Sequence, residues 1–283
     1  MKFWLIYREE DTAKNKAYIE TYIRLAPKFG FECRLVLVSE LVCGVKGGKP
    51  YITGPEPLPE FAVVRTIDPD LSKHLELCGV RCFNSSEVSR ICNNKAYTYA
   101  HLSGADIPMP DTVFVKNRDL RSFLATCEKG KVIKSVSGHG GAEVTLYDGE
   151  PDRIMTLVHG EDVVVQERIG KKAKDLRVYC LGDRILACVL RESDEDFRAN
   201  FSLGGNVSLY TLKPLEERLV KRITDRLKFD LVGIDFLLDE NNNLIFNEIE
   251  DVVGARMLYK VSDVDIVHEY LAYIRDELDK KGI

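Results

Sequence analysis

Between Phe229 and Arg256 the chain reads FDLVGIDFLLDENNNLIFNEIEDVVGAR, and three acids in it stand where apolar side chains would be expected. The apolar runs LVGIDFLL and LIFNEI flank Asp-Glu-Asn-Asn-Asn, and a polar, Asn-rich break between β-prone runs signals an antiparallel hairpin. If residues 240–243 form a four-residue loop, Asp239 pairs with Leu244, and counting outward sets Asp235 opposite Glu248. Glu250 shares that face because strand side chains alternate with period two. A loop one residue longer or shorter would break this pairing. Carboxylates gathered on an otherwise apolar sheet repel one another, and a hard divalent cation with oxygen ligands relieves the repulsion. The pattern therefore predicts a metal site at Asp235, Glu248 and Glu250, with Mg²⁺ as the natural ion and Mn²⁺ as the alternative. Because Mg²⁺ bridges a few carboxylates to substrate phosphates, the hairpin also points to a nucleoside triphosphate. The competing reading is a surface hairpin with solvated acids.

With 283 residues the chain can fill two or three small domains, and 45% hydrophobic residues argue against disorder. A net charge of -5 without blocks of like charge gives no footing for nucleic acid or a membrane surface. The opening MKFWLIYREED is too short an apolar run for a signal peptide, and no segment approaches a membrane span, so the protein is expected to be cytoplasmic. Eight cysteines lie scattered without a CxxC pair, several inside apolar runs such as VYCL and LACVL, and read as buried, reduced thiols. Cys78, Cys82 and Cys92 with His101 do not have a recognised zinc spacing.

Residues 1 to about 90 alternate β-like runs (FWLIY, CRLVLV, FAVVRT, VRCF) with helical patterns over Asn15–Phe29 and Pro69–Cys78, which predicts a small βαβ sheet. The turn after the first run, YREEDTAKNK, holds no glycine, so a dinucleotide fingerprint is absent. Asn84-Ser-Ser-Glu87 reads as a helix start leading through Lys95 to Gly104 and Pro108. Strands follow, and Ser137-Gly-His-Gly-Gly141 joins two of them with no helix after it. That arrangement excludes a Walker or Rossmann turn and suits a flap whose backbone N–H groups cover phosphates. Lys134, within an apolar strand just before the flap, would be costly to bury unless it met an anion; the alternative is a lysine that snorkels to solvent. VVVQERIG is a buried-looking strand whose polar end could offer backbone groups to a purine. Arg177, Arg191 and Arg198 recur in or beside the next strands and suit phosphate or carboxylate forks, with surface ion pairs as the alternative for each.

Taken in order, the lysine strand, the glycine flap, the QExI strand end, Asp175-Leu-Arg177, the R…FRAN…GG segment and GxDF…ExE resemble the RimK-type branch of the ATP-grasp carboxylate–amine ligases. The similarity runs from about Phe83 to Val253. It implies an α/β chain of α+β subdomains: an ATP-grasp fold preceded by a small parallel-sheet domain over residues 1–90, a central subdomain with the flap over 91–168, and a C-terminal subdomain with the metal site over 169–283. It further implies ATP between the two subdomains, with Lys95 and Lys134 on the phosphates and Gly138, Gly140 and Gly141 closing above them. Gln166, Glu167, Arg168 and Ile169 match the strand end beside adenine, and Asp175 matches a nucleotide-contacting acid. Arg198 and Asn200 match the pair that grips phosphates and metal, with Arg177 and Arg191 as further catalytic anion contacts.

The chemistry implied is phosphorylation of a carboxylate by ATP to an acylphosphate, followed by attack of an amine to give an amide. The expected partners are a small-molecule or peptide carboxylate and an amine or amino acid such as glutamate, with self-association compatible with the reading. Two departures stand out. Related ligases carry ExN and a Pro-Gly turn where this chain has Glu248-Ile-Glu250 and DVVGAR, and often HRGG where it has Ser202-Leu-Gly-Gly205. The alternatives to a ligase are a phosphotransferase that stops at a phosphorylated product and a nucleotide-binding regulatory protein without turnover.

Overall fold

The computed structural model describes residues 1–141, 143–170, 173–193, 206–280 and 282. The first part of the chain runs β1 (Lys2–Tyr7), α1 (Glu9–Thr12), α2 (Lys16–Leu25), β2 (Glu32–Leu37), the hairpin β3 (Val42–Lys46) and β4 (Lys49–Thr53), β5 (Phe61–Val64), α3 (Pro69–Leu77) and β6 (Arg81–Phe83). The parallel sheet has the order β2-β1-β5-β6. Apart from Lys2, every residue of β1 is buried, as expected of a parallel strand covered on both faces. On one face Phe3 stacks on Phe61 with ring centroids 4.8 Å apart, and Ile19, Tyr22 and Leu25 of α2 pack down onto the same core.

Two helices follow, α4 (Ser86–Cys92) and α5 (Lys95–Leu102). The uninterrupted helical pattern read from the sequence is divided here because the Asn94 side chain accepts a hydrogen bond from the Tyr97 N–H at 3.0 Å and caps a new helix. That cap makes Lys95 the first residue of α5, and its N–H donates to Val136 O at 2.9 Å.

The middle sheet is antiparallel, with the order β7-β10-β8-β9 built from β7 (Thr112–Val115), β8 (Val132–Ser135), β9 (Val144–Leu146) and β10 (Val163–Gln166). Its core packs against α6 (Asn117–Leu124) and α7 (Pro151–Leu157), the latter unmarked in the sequence reading. The last sheet, also antiparallel, has the order β13-β12-β11-β14-β15. Its strands are β11 (Ala173–Leu181), β12 (Arg184–Ser193), β13 (Asn206–Leu209), β14 (Leu231–Leu238) and β15 (Leu244–Glu250). Helix α8 (Pro214–Arg226) covers it through Leu219, Val220 and Ile223.

After the short α9 (Arg256–Val261), α10 (Ile266–Asp279) turns back to the beginning of the chain. Its residues Tyr270, Leu271 and Ile274 share one core with Phe3 and Leu5 of β1 and with Tyr179 and Leu231 of the last sheet. No described helix is long and apolar enough to cross a membrane. The cysteines are all free thiols, four of them buried, and Cys43 is exposed, which corrects the expectation of uniform burial.

Candidate active site

The acidic hairpin is β14 and β15, and Asp235 does face Glu248, though not by the predicted route. Leu238 pairs with Leu244, so the loop spans 239–243 and is one residue longer than predicted. Asp239 organises it by accepting from the N–H groups of Asn241 and Asn243, both at 2.8 Å. A bulge then takes up the extra residue: Phe236 pairs with Phe246, Asn247 is left over, and Asp235 pairs with Glu248. Glu250 falls opposite Gly233, where a Cβ would lie 2.6 Å from Val253 and 3.3 Å from the Arg177 side chain. Glycine at 233 thus makes room for the arginine that crosses it.

Ile234, Phe236, Phe246 and Ile249 turn to the core under α8, which leaves the acids on the other face. One oxygen from each of Asp235, Glu248 and Glu250 lies within 4.8 Å of the others, and among the described residues this is the group of His, Cys, Asp and Glu side chains able to hold a metal. The candidate set of cysteines with His101 does not form such a group.

The same face carries the arginines of β11 and β12. Arg177 forks onto Asp235, Nε to Oδ1 and Nη2 to Oδ2, both at 2.7 Å, and also donates to Glu250 at 2.6 Å. Arg191 donates to Asp235 at 2.8 Å and to Asp175. Arg177, Arg191, Asp175 and Asp235 are all buried. Burial alone would raise the Asp235 carboxyl, but the charges of Arg177 and Arg191 outweigh it and pull it down to about 2. Asp175 goes the other way: burial, joined by the Asp235 charge, pushes it up to about 7 against the pull of Arg191. Burial likewise raises Glu250 despite Arg177.

Two buried lysines approach from the other side. Lys134 of β8 donates to Asn247 Oδ1 at 2.8 Å, so the bulge residue is its partner. Burial pushes its amine down to about 8, with Glu248 opposing the shift and Lys95 adding to it. Lys95 lies 3.5 Å from Glu248 and donates to Gly138 O in the flap. Gly140 and Gly141 have φ of 65° and 74°, left-handed values that glycine adopts without strain.

Beyond β10, Gln166 is buried and donates to Thr112 Oγ1 at 2.9 Å, while Glu167 accepts from Lys131. Arg168 and Ile169 continue the chain there, exposed and half-buried respectively. Arg198, Asn200 and the Ser202–Gly205 segment lie outside the described residues.

Lys95, Lys134, Arg177, Arg191, Asp175, Asp235, Glu248 and Glu250 therefore form one cluster of four cations and four acids. The sequence reading missed Asn247, whose only signal was a polar residue inside an apolar run, and His139, which lines the same cavity as Glu250. Burial, joined by Lys95, lowers the His139 imidazole pKa.

For a metal, the donor set is all oxygen, as Mg²⁺ requires. Asp235 already receives three guanidinium hydrogen bonds, whereas Glu248 and Glu250 each engage one oxygen with a described cation and are more exposed. The three residues fit such an ion, with the two glutamates the more available donors.

Comparison with known proteins bears on the same region. The glutamate–LysW ligase ArgX of Sulfolobus acidocaldarius is 27% identical over 213 residues, 71% of this chain and 75% of that protein. A RimK-domain ATP-grasp protein from Sphaerobacter thermophilus superposes with a TM-score of 0.71 at 17% identity, over 97% of this chain and 99% of that one. The ATP-grasp ligase PsnB, solved with a precursor variant, Mg and ADP, gives 0.67 at 15% identity over 97% and 98%. The RimK-like ATP-grasp domain profile matches residues 92–274, which takes in both lysines, the flap and the whole acidic hairpin, and the chain belongs to that family.

Proposed function

We propose that the protein is an ATP- and Mg²⁺-dependent carboxylate–amine ligase that makes an amide through an acylphosphate. The observation that carries this is the convergence of Lys95 of α5 and Lys134 of β8 on the Asp235, Glu248 and Glu250 face of β14 and β15. Two buried ammonium groups beside a metal-competent carboxylate trio suit a triphosphate. In this reading Lys95 and Lys134 hold phosphate oxygens, and Gly138, Gly140 and Gly141 cover them with backbone N–H groups. Glu248 and Glu250 hold the metal with Asp235 beneath, and the strand end at Gln166, Glu167, Arg168 and Ile169 receives the base. Bound Mg²⁺ supplies charge neutralisation of the phosphate oxygens.

A carboxylate is a poor electrophile, so transfer of a phosphoryl group gives it a leaving group. Arg177 and Arg191, fixed by their carboxylate partners, offer guanidinium edges where charge builds on the transferred group. An amine then displaces phosphate without any side-chain nucleophile. Similarity to a ligase named for glutamate makes glutamate the first amine to try.

The test is ADP release over pairs of carboxylates and amines, with mass spectrometry of the products. Turnover that needs both partners, and a hydroxamate when hydroxylamine replaces the amine, are the expected results. A stable phosphorylated acid formed without any amine would instead make the protein a phosphotransferase, and no ADP release with any pair would leave a nucleotide-binding protein.

A further inference from the structure

Among the described residues, those of the first sheet add no side chain to the cluster of lysines and carboxylates, yet one end of that sheet opens towards it. In the order β2-β1-β5-β6 the chain leaves β1 for β2 on one side and returns to β5 on the other. Open parallel sheets receive ligands outside the carboxyl ends of their strands where the winding reverses in this way. Tyr7 and Arg8 leave the end of β1 there, and Arg65 and Thr66 leave the end of β5. All four line a cavity of about 450 Å³ whose wall also includes Arg177 and Glu250.

The cavity is strongly cationic, and its charges divide into two groups. Arg177 and Arg191 are committed to Asp175, Asp235 and Glu250, and Lys14 pairs with Asp11 at 2.6 Å. Arg8, Arg65 and Arg256 also line it, and none of the three forms a close ion pair among the described residues; Asp251, the buried acid that feels the Arg65 charge, is hydrogen-bonded by Asn93 instead. Arg65 is the telling one, being only 8% exposed. A guanidinium buried that deeply normally has a counter-ion.

Instead, Arg65 Nη2 donates to Val253 O at 2.8 Å and Nε is buried with no partner. Its charge sits 5.2 Å from the centre of the Tyr18 ring. The buried hydroxyls of Tyr7, Tyr18 and Tyr22 surround it without a well-formed hydrogen bond, Tyr7 lying beside the guanidinium and Tyr18 beside Tyr22. Buried polar groups in native proteins are nearly always satisfied, so several donors left over together beneath one cavity call for an acceptor.

We propose that this cavity binds an acid substrate carrying a second anionic group, a carboxylate or a phosphate, with Arg65 as the specificity-determining residue. The second anion sits against the Arg65 guanidinium and the Tyr7 side of the cavity, with Arg8 and Arg256 closing over it from the exposed side. The reacting carboxylate then points towards Arg177 and Glu250. Naming the ligand a substrate rests on the ligase reading; its binding does not.

The experiment is calorimetric titration of the full chain without nucleotide. The probes are dicarboxylates from malonate to adipate, their ω-phosphono analogues, and monocarboxylates of matched length. At one length, a dianion should bind at least tenfold tighter than its monocarboxylate, and the stronger of the two dianion series identifies carboxylate or phosphate. Arg65→Met should shrink that advantage to less than twofold. Arg256→Gln, at an exposed position where folding is not at stake, should cut it at least threefold. ADP binding with Mg²⁺ should stay unchanged in both variants. No dianion advantage at any length, or an advantage undiminished in Arg256→Gln, would overturn the proposal. Failure of the ligase reading looks different: no acid and amine pair releases ADP, while the dianion preference persists.

Discussion

Asp235 accepts from two arginines on neighbouring strands, and its loss should be felt first in folding. Asp235→Ala strands two buried guanidinium groups, and breaking a buried pair on one side costs about 3–5 kcal/mol. Urea unfolding should show that loss together with complete loss of turnover. Glu250→Asn should behave differently, because an amide oxygen can still accept from Arg177 and still reach a metal. We expect turnover within about tenfold of wild type and a several-fold higher Mg²⁺ requirement, read from metal titration of ADP release. If Glu250→Asn proves as inactive as Glu248→Ala, Glu250 is an indispensable ligand. Lys134 provides a pH signature. Its amine titrates at about 8 in the folded protein and near 10.4 when unfolded. Between those values the unfolded chain holds a proton the folded chain has released, so stability rises with pH across that window. Below it, the buried amine opposes folding by about 3 kcal/mol. In metal-free protein, Lys134→Met should flatten the slope of unfolding free energy between roughly pH 8 and 10.

At the scale of elements, much was legible in the sequence and the exceptions have physical causes. Asp235, Glu248 and Glu250 could be placed on one face because side-chain alternation is local. The loop length was wrong by one residue and the pairing right, because the Asn247 bulge restores the register that the longer loop displaces. A bulge depends on what lies across the strand, here Lys134 from another sheet, and no local pattern encodes that. The arginines were legible as anion contacts, whereas the carboxylates that hold them required the order of strands β12, β11 and β14. Arg65 could not be read at all, since only assembly of the first sheet against the last makes its isolation visible. The flap gives a prediction of its own. Backbone N–H groups of residues 137–141 should exchange hydrogen more slowly with MgATP than without it, and equal rates would remove the flap from the mechanism. Replacing both Gly140 and Gly141 by valine should weaken ATP binding at least tenfold, because β-branched residues resist left-handed φ.

For the whole molecule, the decisive feature is a core shared by the first sheet, the last sheet and α10, while the middle sheet keeps a core of its own. Ile274→Ala, at a fully buried position of α10, should cost about 2–5 kcal/mol. Native-state hydrogen exchange should report that loss equally in β1 and β14 and leave β8 and β10 unchanged; a loss confined to α10 would mean the shared core is not one cooperative unit. The arrangement also has a consequence for how the protein is made. The ribosome delivers β1 through β6 first, but α10, which completes the cover over one face of their sheet, emerges roughly 180 residues after Phe83, which at bacterial or eukaryotic elongation speeds is on the order of 10–40 s later. Throughout that interval α2 alone covers the Phe3, Leu5 and Phe61 face, so the part that α10 later buries offers chaperones an apolar surface that the finished protein never shows.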